Sequence, residues 1–180
     1  MKATGIVRRI DDLGRVVIPK EIRRTMRIRE GDPLEIFTNK DGEVIFKKYS
    51  PIGELGDFAS SYAETLAKTS GNGVLITDKD NVIAVSGIPK KELSERRISP
   101  DLERIMSEKS VFIMTPQSED ALPVVEGVDK YFASVAAPII AEGDSIGTVV
   151  MISTTSSVPG EVEKKLTESA AGFLGRHMES

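Results

Sequence analysis

The stretch that decides the fold of this 180-residue chain is Thr4-Gly5-Ile6-Val7-Arg8-Arg9-Ile10-Asp11-Asp12-Leu13-Gly14-Arg15-Val16-Val17-Ile18-Pro19. Two runs rich in β-branched residues, which favour strands, flank Asp11-Asp12-Leu13-Gly14, which favours a turn. The stretch therefore predicts a β-hairpin. If Ile10 lies opposite Arg15, side chains alternate so that Arg8 shares the face of Arg15. Arg9 then points to the opposite face.

A short helix and a second hairpin are predicted after this stretch. Pro19 suits the first position of a helix, and Lys20 to Met26 continues in residues that tolerate a helix. Gly31-Asp32-Pro33 ends it, and the apolar runs 34–37 and 43–46 flank a turn at Asn39-Lys40-Asp41-Gly42. The first 50 residues therefore read as hairpin, helix, hairpin.

This unit is too small to be stable alone. About fifty residues bury little apolar surface, and four short strands leave edges that another chain can pair with. We therefore expect an obligate homodimer, whose two-fold axis matches the pseudo-symmetry of duplex DNA.

Charge is distributed unevenly along the chain. Residues 1–50 carry 12 Lys and Arg against 8 Asp and Glu, whereas residues 51–180 carry 12 against 20. A basic cluster on a chain of net charge −4 predicts a polyanion site at one end.

Composition argues against several classes of protein. The chain has no cysteine and one histidine, His177, so thiolate metal sites and cysteine nucleophiles are excluded and a histidine-based triad is not expected. Its longest apolar run, Val135 to Ala141, is too short to span a membrane. The first residues lack the apolar stretch of a secretory signal, which favours a cytoplasmic location. We expect no catalytic residue, no metal site and no cofactor.

The first stretch, followed by Glu21-Ile22-Arg23-Arg24-Thr25, resembles the N-terminal domain of the AbrB family of bacterial transition-state regulators. The resemblance implies an all-β, swapped-hairpin barrel formed by a dimer, with arginines that contact DNA. The family's DNA-binding positions fall on Arg8, Arg15, Arg23 and Arg24, and Arg9 occupies a further basic position. The alternative for each arginine is an ion pair with Asp11, Asp12 or Glu21.

The rest of the chain predicts an α+β domain. From Ile52 the apolar period becomes helical, and β-branched runs at 74–77 and 82–85 flank a turn. Ser99-Pro100 predicts the start of another helix, and three further strands are expected at 111–114, 131–139 and 145–152. Pro159-Gly160 opens a terminal helix with an apolar stripe.

Two strand-like runs, Ser134-Val135-Ala136-Ala137-Pro138-Ile139-Ile140 and Ser145-Ile146-Gly147-Thr148-Val149-Val150, resemble those of a GAF domain. The resemblance implies an antiparallel sheet with flanking helices that senses a small molecule. Pro116 to Asp129 is expected to be a loop over the sheet. It is either a lid over a ligand or a plain surface loop.

The two long helices are expected to pack on one face of this sheet and to leave an apolar edge for a second pair. The resemblance implies homotetramers formed in this way. The residues expected at this contact are Leu55, Tyr62, Leu66, Leu166, Phe173 and Leu174.

These patterns predict two domains, residues 1–52 for DNA binding and dimerisation and residues 53–180 for sensing and oligomerisation. The favoured function is a sequence-specific DNA-binding transcriptional regulator, and the whole chain resembles family members that control sporulation genes. The alternative is an antitoxin of the swapped-hairpin type that autoregulates its operon. An enzyme using paired carboxylates is disfavoured, because no acidic pair is singled out by spacing. Expected partners are double-stranded DNA, further copies of the chain and a small molecule of unidentified chemistry.

Overall fold

The computed structural model describes residues 5–116, 121–152 and 158–179. Contacts within the chain divide it into two compact units, Met1–Tyr49 and Ser50–Ser180.

The described residues of the first unit, 5–49, form one helix and one β-hairpin. Helix α1 spans Lys20–Thr25, and strands β1, Leu34–Thr38, and β2, Val44–Lys48, pair antiparallel from Leu34 with Lys48 to Thr38 with Val44. Both elements agree with the sequence patterns that predict them.

The predicted first hairpin has its turn but not its strands. The Gly14 N–H donates to the Asp11 carbonyl at 3.0 Å, and the Asp11 N–H donates to the Arg15 carbonyl at 3.1 Å. The runs on either side form no strand within the described single chain. Strand assignment requires a neighbouring backbone to complete the ladder, and in a swapped barrel that neighbour belongs to the second chain.

The first unit has almost no interior of its own. Among its described residues only Pro19 is buried. Twelve of its large apolar side chains are exposed, namely Ile6, Val7, Ile10, Leu13, Val16, Val17, Met26, Ile36, Phe37, Val44, Ile45 and Phe46. Exposed apolar surface on this scale marks an interaction surface.

The second unit is a six-stranded antiparallel sheet with helices on both faces. Its strands run in the order β4-β3-β8-β7-β5, and β6 pairs with β7. The strands are β3 Gly73–Asp78, β4 Val82–Ser86, β5 Phe112–Ile113, β6 Leu122–Pro123, β7 Phe132–Ala141 and β8 Asp144–Ile152. The helices are α2 Pro51–Glu54, α3 Gly56–Ser70, α4 Lys90–Leu93, α5 Pro100–Glu108 and α6 Glu161–His177.

Local signals set most of these bounds. The Ser99 hydroxyl accepts a hydrogen bond from the Leu102 N–H at 3.1 Å and begins α5 with Pro100 in its first turn. Gly71, at φ 73°, ends α3 in the left-handed conformation. The single helix expected from Ile52 is instead divided at Leu55 into α2 and α3.

Alternation along the strands gives the sheet two apolar faces. Side chains such as Ile76, Val149 and Met151 pack with α3 and α6, and their neighbours Leu75, Val150 and Ile152 pack with α4 and α5. The prediction that the two long helices share one face is confirmed.

The segment expected as a loop over the sheet is partly built into it. Residues 117–120 lie outside the described residues, but Leu122, Val124 and Val125 are buried against α5. The Ser99 hydroxyl donates to the Pro123 carbonyl at 2.5 Å, and β6 pairs with β7. Neither a lid over a ligand nor a plain surface loop describes residues 122–125, because Leu122, Val124 and Val125 are part of the core.

Candidate nucleic-acid interface

The tip of the first hairpin is organised by one carboxylate. Asp11 Oδ1 accepts hydrogen bonds from the Leu13 N–H at 3.0 Å and the Arg15 N–H at 2.7 Å. Asp11 Oδ2 accepts from Arg15 Nε at 2.7 Å, which also makes an ion pair. Gly14 completes the turn at φ 75°, a conformation that glycine adopts without strain. The tip therefore fixes both the backbone and the arginine that follows it.

These bonds hold the pKa of the Asp11 carboxyl below its usual range. The largest cause is the hydrogen bond from the Arg15 backbone N–H, followed by that from the Arg15 side chain. Asp11 is therefore charged at neutral pH and remains the partner of Arg15.

The pairing at the tip differs from the register assumed for the arginine faces. The backbone bond joins Asp11 to Arg15, so Ile10 does not lie opposite Arg15. The difference arises because Asp11 lies at the closing position of a three-residue loop, in which glycine forms the bulge. The predicted shared face of Arg8 and Arg15, with Arg9 on the other face, therefore depends on a register that the structure does not have.

The second hairpin tip has the same pattern of hydrogen bonds as the first, but an uncharged asparagine takes the place of the aspartate. The Asn39 N–H donates to the Glu43 carbonyl, and Asn39 Oδ1 accepts from the Asp41 and Glu43 N–H groups at 3.1 and 2.9 Å. Asn39 Nδ2 donates to the Glu43 side chain at 2.5 Å. An Asx residue thus organises each tip and contacts the side chain four positions later.

The five candidate arginines are all exposed on the first unit. Arg8 and Arg9 precede the tip and Arg15 follows it, whereas Arg23 and Arg24 lie in the last turn of α1. Arg15 has its Asp11 partner, yet 70% of its side chain is exposed. Within residues 5–116, 121–152 and 158–179, the side chains of the other four make no ion pair or hydrogen bond. These four side chains are therefore available to bind an anion.

A separate polar cluster supports the turn between α1 and β1. Lys48 Nζ donates to the Arg27 carbonyl at 2.9 Å and lies 3.7 Å from Asp32, whose side chain is 4% exposed. Asp32 Oδ2 also accepts from the Arg29 N–H at 2.9 Å. These contacts therefore stabilise the turn, and the exposed candidate arginines take no part in them.

On the second unit, the candidate oligomerisation residues divide into three groups. Leu66 and Leu174 are buried in the core beneath α3 and α6, which removes their side chains from contact with another chain. Leu55 and Leu166 are half-buried. Tyr62 and Phe173 belong to an aromatic layer with Phe58 and His177, in which the Phe58 and His177 rings stack at 5.0 Å. The surface part of the predicted contact is this layer.

A groove of about 470 Å³ lies beside the loop between α3 and β3. Its polar lining includes Glu64, Lys68, Asn72 and Lys90, and Lys68 Nζ lies 2.6 Å from the Glu64 carboxylate. The sequence patterns did not predict it, because its residues come from separate turns of the fold.

Sequence reasoning also missed two residues that organise these surfaces. The sequence patterns identify Asp11 only as a turn former or as an alternative partner for an arginine. Its position, three residues before a glycine and four before an arginine, is the signal that identifies the tip. Phe58 falls between the apolar positions of the predicted helix, so only the structure shows its stacking on Phe173 at 6.1 Å.

Comparison with known proteins covers both units. Residues 54–179 match the family described as stage V sporulation protein T C-terminal, transcription factor, and residues 7–53 match the MazE bacterial antitoxin family. The chain is 58% identical to stage V sporulation protein T of Bacillus subtilis (strain 168) over 99% of each chain. It is also 61% identical to the transition state regulatory protein AbrB of that organism over 51 residues, which are 28% of this chain and 52% of AbrB.

The fold of the second unit is that of a GAF domain. The GAF domain of an Acinetobacter phosphoenolpyruvate-protein phosphotransferase superposes with a TM-score of 0.58 at 10% identity, covering 73% of this chain and 84% of that one. The corresponding domain from Coxiella burnetii gives 0.56 at 14% identity, over 68% and 80%. The first unit has the AbrB-type domain expected from its sequence. From its full-length similarity and its C-terminal match, the chain belongs to the stage V sporulation protein T family of transcription factors.

Proposed function

We propose that this chain regulates sporulation genes by binding duplex DNA in a sequence-specific manner as a homodimer of its first domain, residues 1–52. The observation that carries the proposal is the composition of the first unit's surface. Twelve large apolar side chains are exposed, and four arginine side chains have no described ionic partner. A second copy would cover the apolar residues, and a polyanion would neutralise the arginines.

Arg8, Arg9, Arg15, Arg23 and Arg24 are the proposed contacts with DNA. Arginine suits this function because its guanidinium stays charged and offers paired donors to phosphates and guanine edges. The dimer doubles every contact, so two sets of arginines would face the two halves of an operator.

The salt dependence of binding tests this arrangement. If Arg8, Arg15, Arg23 and Arg24 of both chains each neutralise a phosphate, the logarithm of affinity should fall against the logarithm of salt with a slope of about −7. A slope shallower than about −2 would contradict a site built from several arginines. Replacing Arg23 and Arg24 by alanine should reduce the slope, whereas replacing Lys164 and Lys165, which carry the same charge on α6, should leave it unchanged.

The second domain is proposed to assemble dimers into tetramers through α3 and α6. The aromatic layer supports this proposal, because it joins the two helices and leaves Phe173 47% exposed. A GAF-type fold is also consistent with sensing a small molecule. Such a ligand would be detected by adding nucleotides or amino acids to the full chain and measuring the rise in its thermal unfolding temperature.

We further propose a non-enzymatic, cytoplasmic protein, because the chain belongs to a family of transcription factors. Among the described residues no group of acidic, histidine or cysteine side chains could hold a metal ion. No helix in the described part of the chain has the length and apolar character to cross a bilayer.

The antitoxin alternative is favoured by one observation, the match of residues 7–53 to the MazE family. An antitoxin needs a segment that captures its toxin. Here the remaining chain forms a folded domain of the transcription-factor family. Co-expression with a toxin of that class separates the two functions, since a regulator should neither bind nor neutralise it.

A further inference from the structure

The Asp11 carboxylate uses both of its oxygens within the hairpin tip. Oδ1 receives two backbone N–H groups, and Oδ2 receives Arg15 Nε at 2.7 Å. When Nε of a guanidinium donates to a carboxylate, the two Nη groups at its far end, which lie side by side, remain available as donors. Because Arg15 is 70% exposed, that end is open to solvent.

We propose that Asp11 is a positioning residue for sequence recognition, which directs the paired Nη groups of Arg15 at a guanine edge in the major groove. Guanine presents two acceptors there, O6 and N7, and an arginine that donates to both recognises the base specifically. The inference rests on the proposed DNA-binding function and assigns one of its five arginines to base recognition.

The net charge of the Asp11–Arg15 pair favours base recognition over a simple phosphate contact. Asp11 and Arg15 together carry no net charge, so the pair attracts a phosphate weakly. The side chains of Arg8, Arg9, Arg23 and Arg24 have no acidic partner among the described residues. An arginine that only neutralised phosphate would be weakened by a carboxylate at 2.7 Å, whereas one that reads a base gains a fixed orientation.

The second hairpin tip shows that the turn itself does not need a carboxylate. Asn39 holds the same frame with its amide oxygen, which accepts from the N–H groups two and four residues later. Asp11→Asn should therefore keep the turn, because its Oδ1 can accept the same two bonds. Its amide N–H₂ would face Arg15 Nε, a donor against a donor, and would release the guanidinium.

The experiment compares Asp11→Asn with Asp12→Asn on the full chain. Both variants remove one negative charge from the same tip, but the Asp12 side chain makes no hydrogen bond or ion pair within the described part of the chain. Affinity is measured for a duplex that the wild type selects from a random pool and for an unrelated duplex of equal length. The ratio of the two affinities gives the specificity.

We expect Asp11→Asn to lower the specificity ratio by about 5- to 100-fold for each half-site, the range of one bidentate base contact. Affinity for the unrelated duplex should stay equal or rise, as it should for Asp12→Asn, because a negative charge is lost in both. Arg15→Ala should lower the ratio as much as Asp11→Asn. If Arg15 reads a base and only Arg8, Arg23 and Arg24 of each chain neutralise a phosphate, the wild-type salt slope should be about −5.

Two readouts distinguish positioning from a structural role. Amide resonances of Leu13 and Arg15 should stay near their wild-type positions in Asp11→Asn if the turn is kept, while Arg15 Nε–H should exchange faster with solvent. Equal specificity ratios for the Asp11 and Asp12 variants would overturn the inference. A wild type that selects no sequence and binds no duplex would instead refute the proposed function itself.

Discussion

The ring of Tyr62 on α3 stacks against the ring of Phe173 on α6, with centroids 5.6 Å apart and planes inclined by 13°. Phe58 and His177 stack on each other at 5.0 Å, and both rings also contact Phe173. Beneath it Leu66 and Leu174 are buried, so the helices are held by an inner aliphatic layer and an outer aromatic one. The outer layer is the part available to another chain.

The first prediction is that Phe173→Asp converts a tetramer into a dimer that still binds DNA. A carboxylate in the aromatic layer would be desolvated by any chain packed on it, which is unfavourable. Phe173 is 47% exposed, so the unassembled domain should lose less than the 3–5 kcal/mol typical of truncating a buried phenylalanine. Light scattering measures the assembly. Lys165→Gln, which makes the same change of charge on α6, should remain tetrameric, and a tetrameric Phe173→Asp would place the interface elsewhere.

The second prediction contrasts two glycines of α6. A Cβ added at Gly175 would collide with the backbone carbonyl oxygen of Ile140, whereas a Cβ at Gly172 would meet nothing within 4 Å. Gly175→Ala should therefore destabilise the domain by at least about 1–3 kcal/mol, the usual result of overpacking. Gly172→Ala should stabilise it by up to about 1 kcal/mol through helix propensity. Urea unfolding of both variants measures the difference, and equal effects would contradict close packing of α6 on β7.

These contacts show where sequence reasoning succeeds and where it does not. Elements whose ends are marked by local residues are predicted closely, such as the α5 start at Ser99 and the α6 start after Gly160. Those signals act within a few residues of the chain. The burial of Val124 depends on long-range packing against α5, which no local pattern encodes.

The candidate site was predictable in part for the same reason. Exposed arginines follow from composition and from the family resemblance, and the turn at Gly14 follows from its residues. The pairing of Asp11 with Arg15 depends on which residue closes the loop, and a one-residue change of register exchanges the faces of every side chain. The runs on either side form no strand in the described single chain, as the proposed swapped dimer would require.

The third prediction concerns acid stability through Glu92. The Tyr131 hydroxyl donates to Glu92 Oε2 at 2.7 Å, and this bond, followed by that from Lys130, holds the pKa of the Glu92 carboxyl below its usual range. A lowered pKa stabilises the fold above the unfolded value, about 4.3 for glutamate, and that stabilisation is lost as pH falls through the lowered pKa. Tyr131→Phe should therefore be less stable than wild type at neutral pH, with a difference that shrinks in acid.

Thermal unfolding between pH 7 and pH 3 measures this difference. Tyr62→Phe is the matched control, because the Tyr62 hydroxyl makes no hydrogen bond among the described residues. The control should follow the wild-type pH profile. A Tyr131→Phe difference that stays constant with pH would show that the bond does not depend on the charge of Glu92.

The fourth prediction locates the start of the second domain. Ile52 is fully buried in the core beneath α3, and the Ser50 hydroxyl accepts from the Gly53 N–H at 3.0 Å at the start of α2. A fragment of residues 50–180 should therefore be more stable than one of residues 53–180, by about 2–5 kcal/mol for the lost isoleucine alone. Urea midpoints of the two fragments measure the effect. Equal midpoints would favour the boundary between residues 52 and 53.

The last prediction is that a fragment of residues 1–52 folds as a dimer and binds DNA. Its arginines and the apolar side chains that a second copy would cover all lie within it, including Val17, which is 72% exposed in the single chain. Val17→Asp should therefore abolish the dimer and DNA binding together, since an unpaired carboxylate would be buried between the chains. Lys40→Asp, at the exposed second tip, should leave the fragment dimeric. The intact fragment should bind an operator less tightly than the full chain, because linked dimers convert later contacts into intramolecular ones. Sedimentation and footprinting of the three fragments decide the matter, and a folded, monomeric wild-type fragment would refute the swapped dimer.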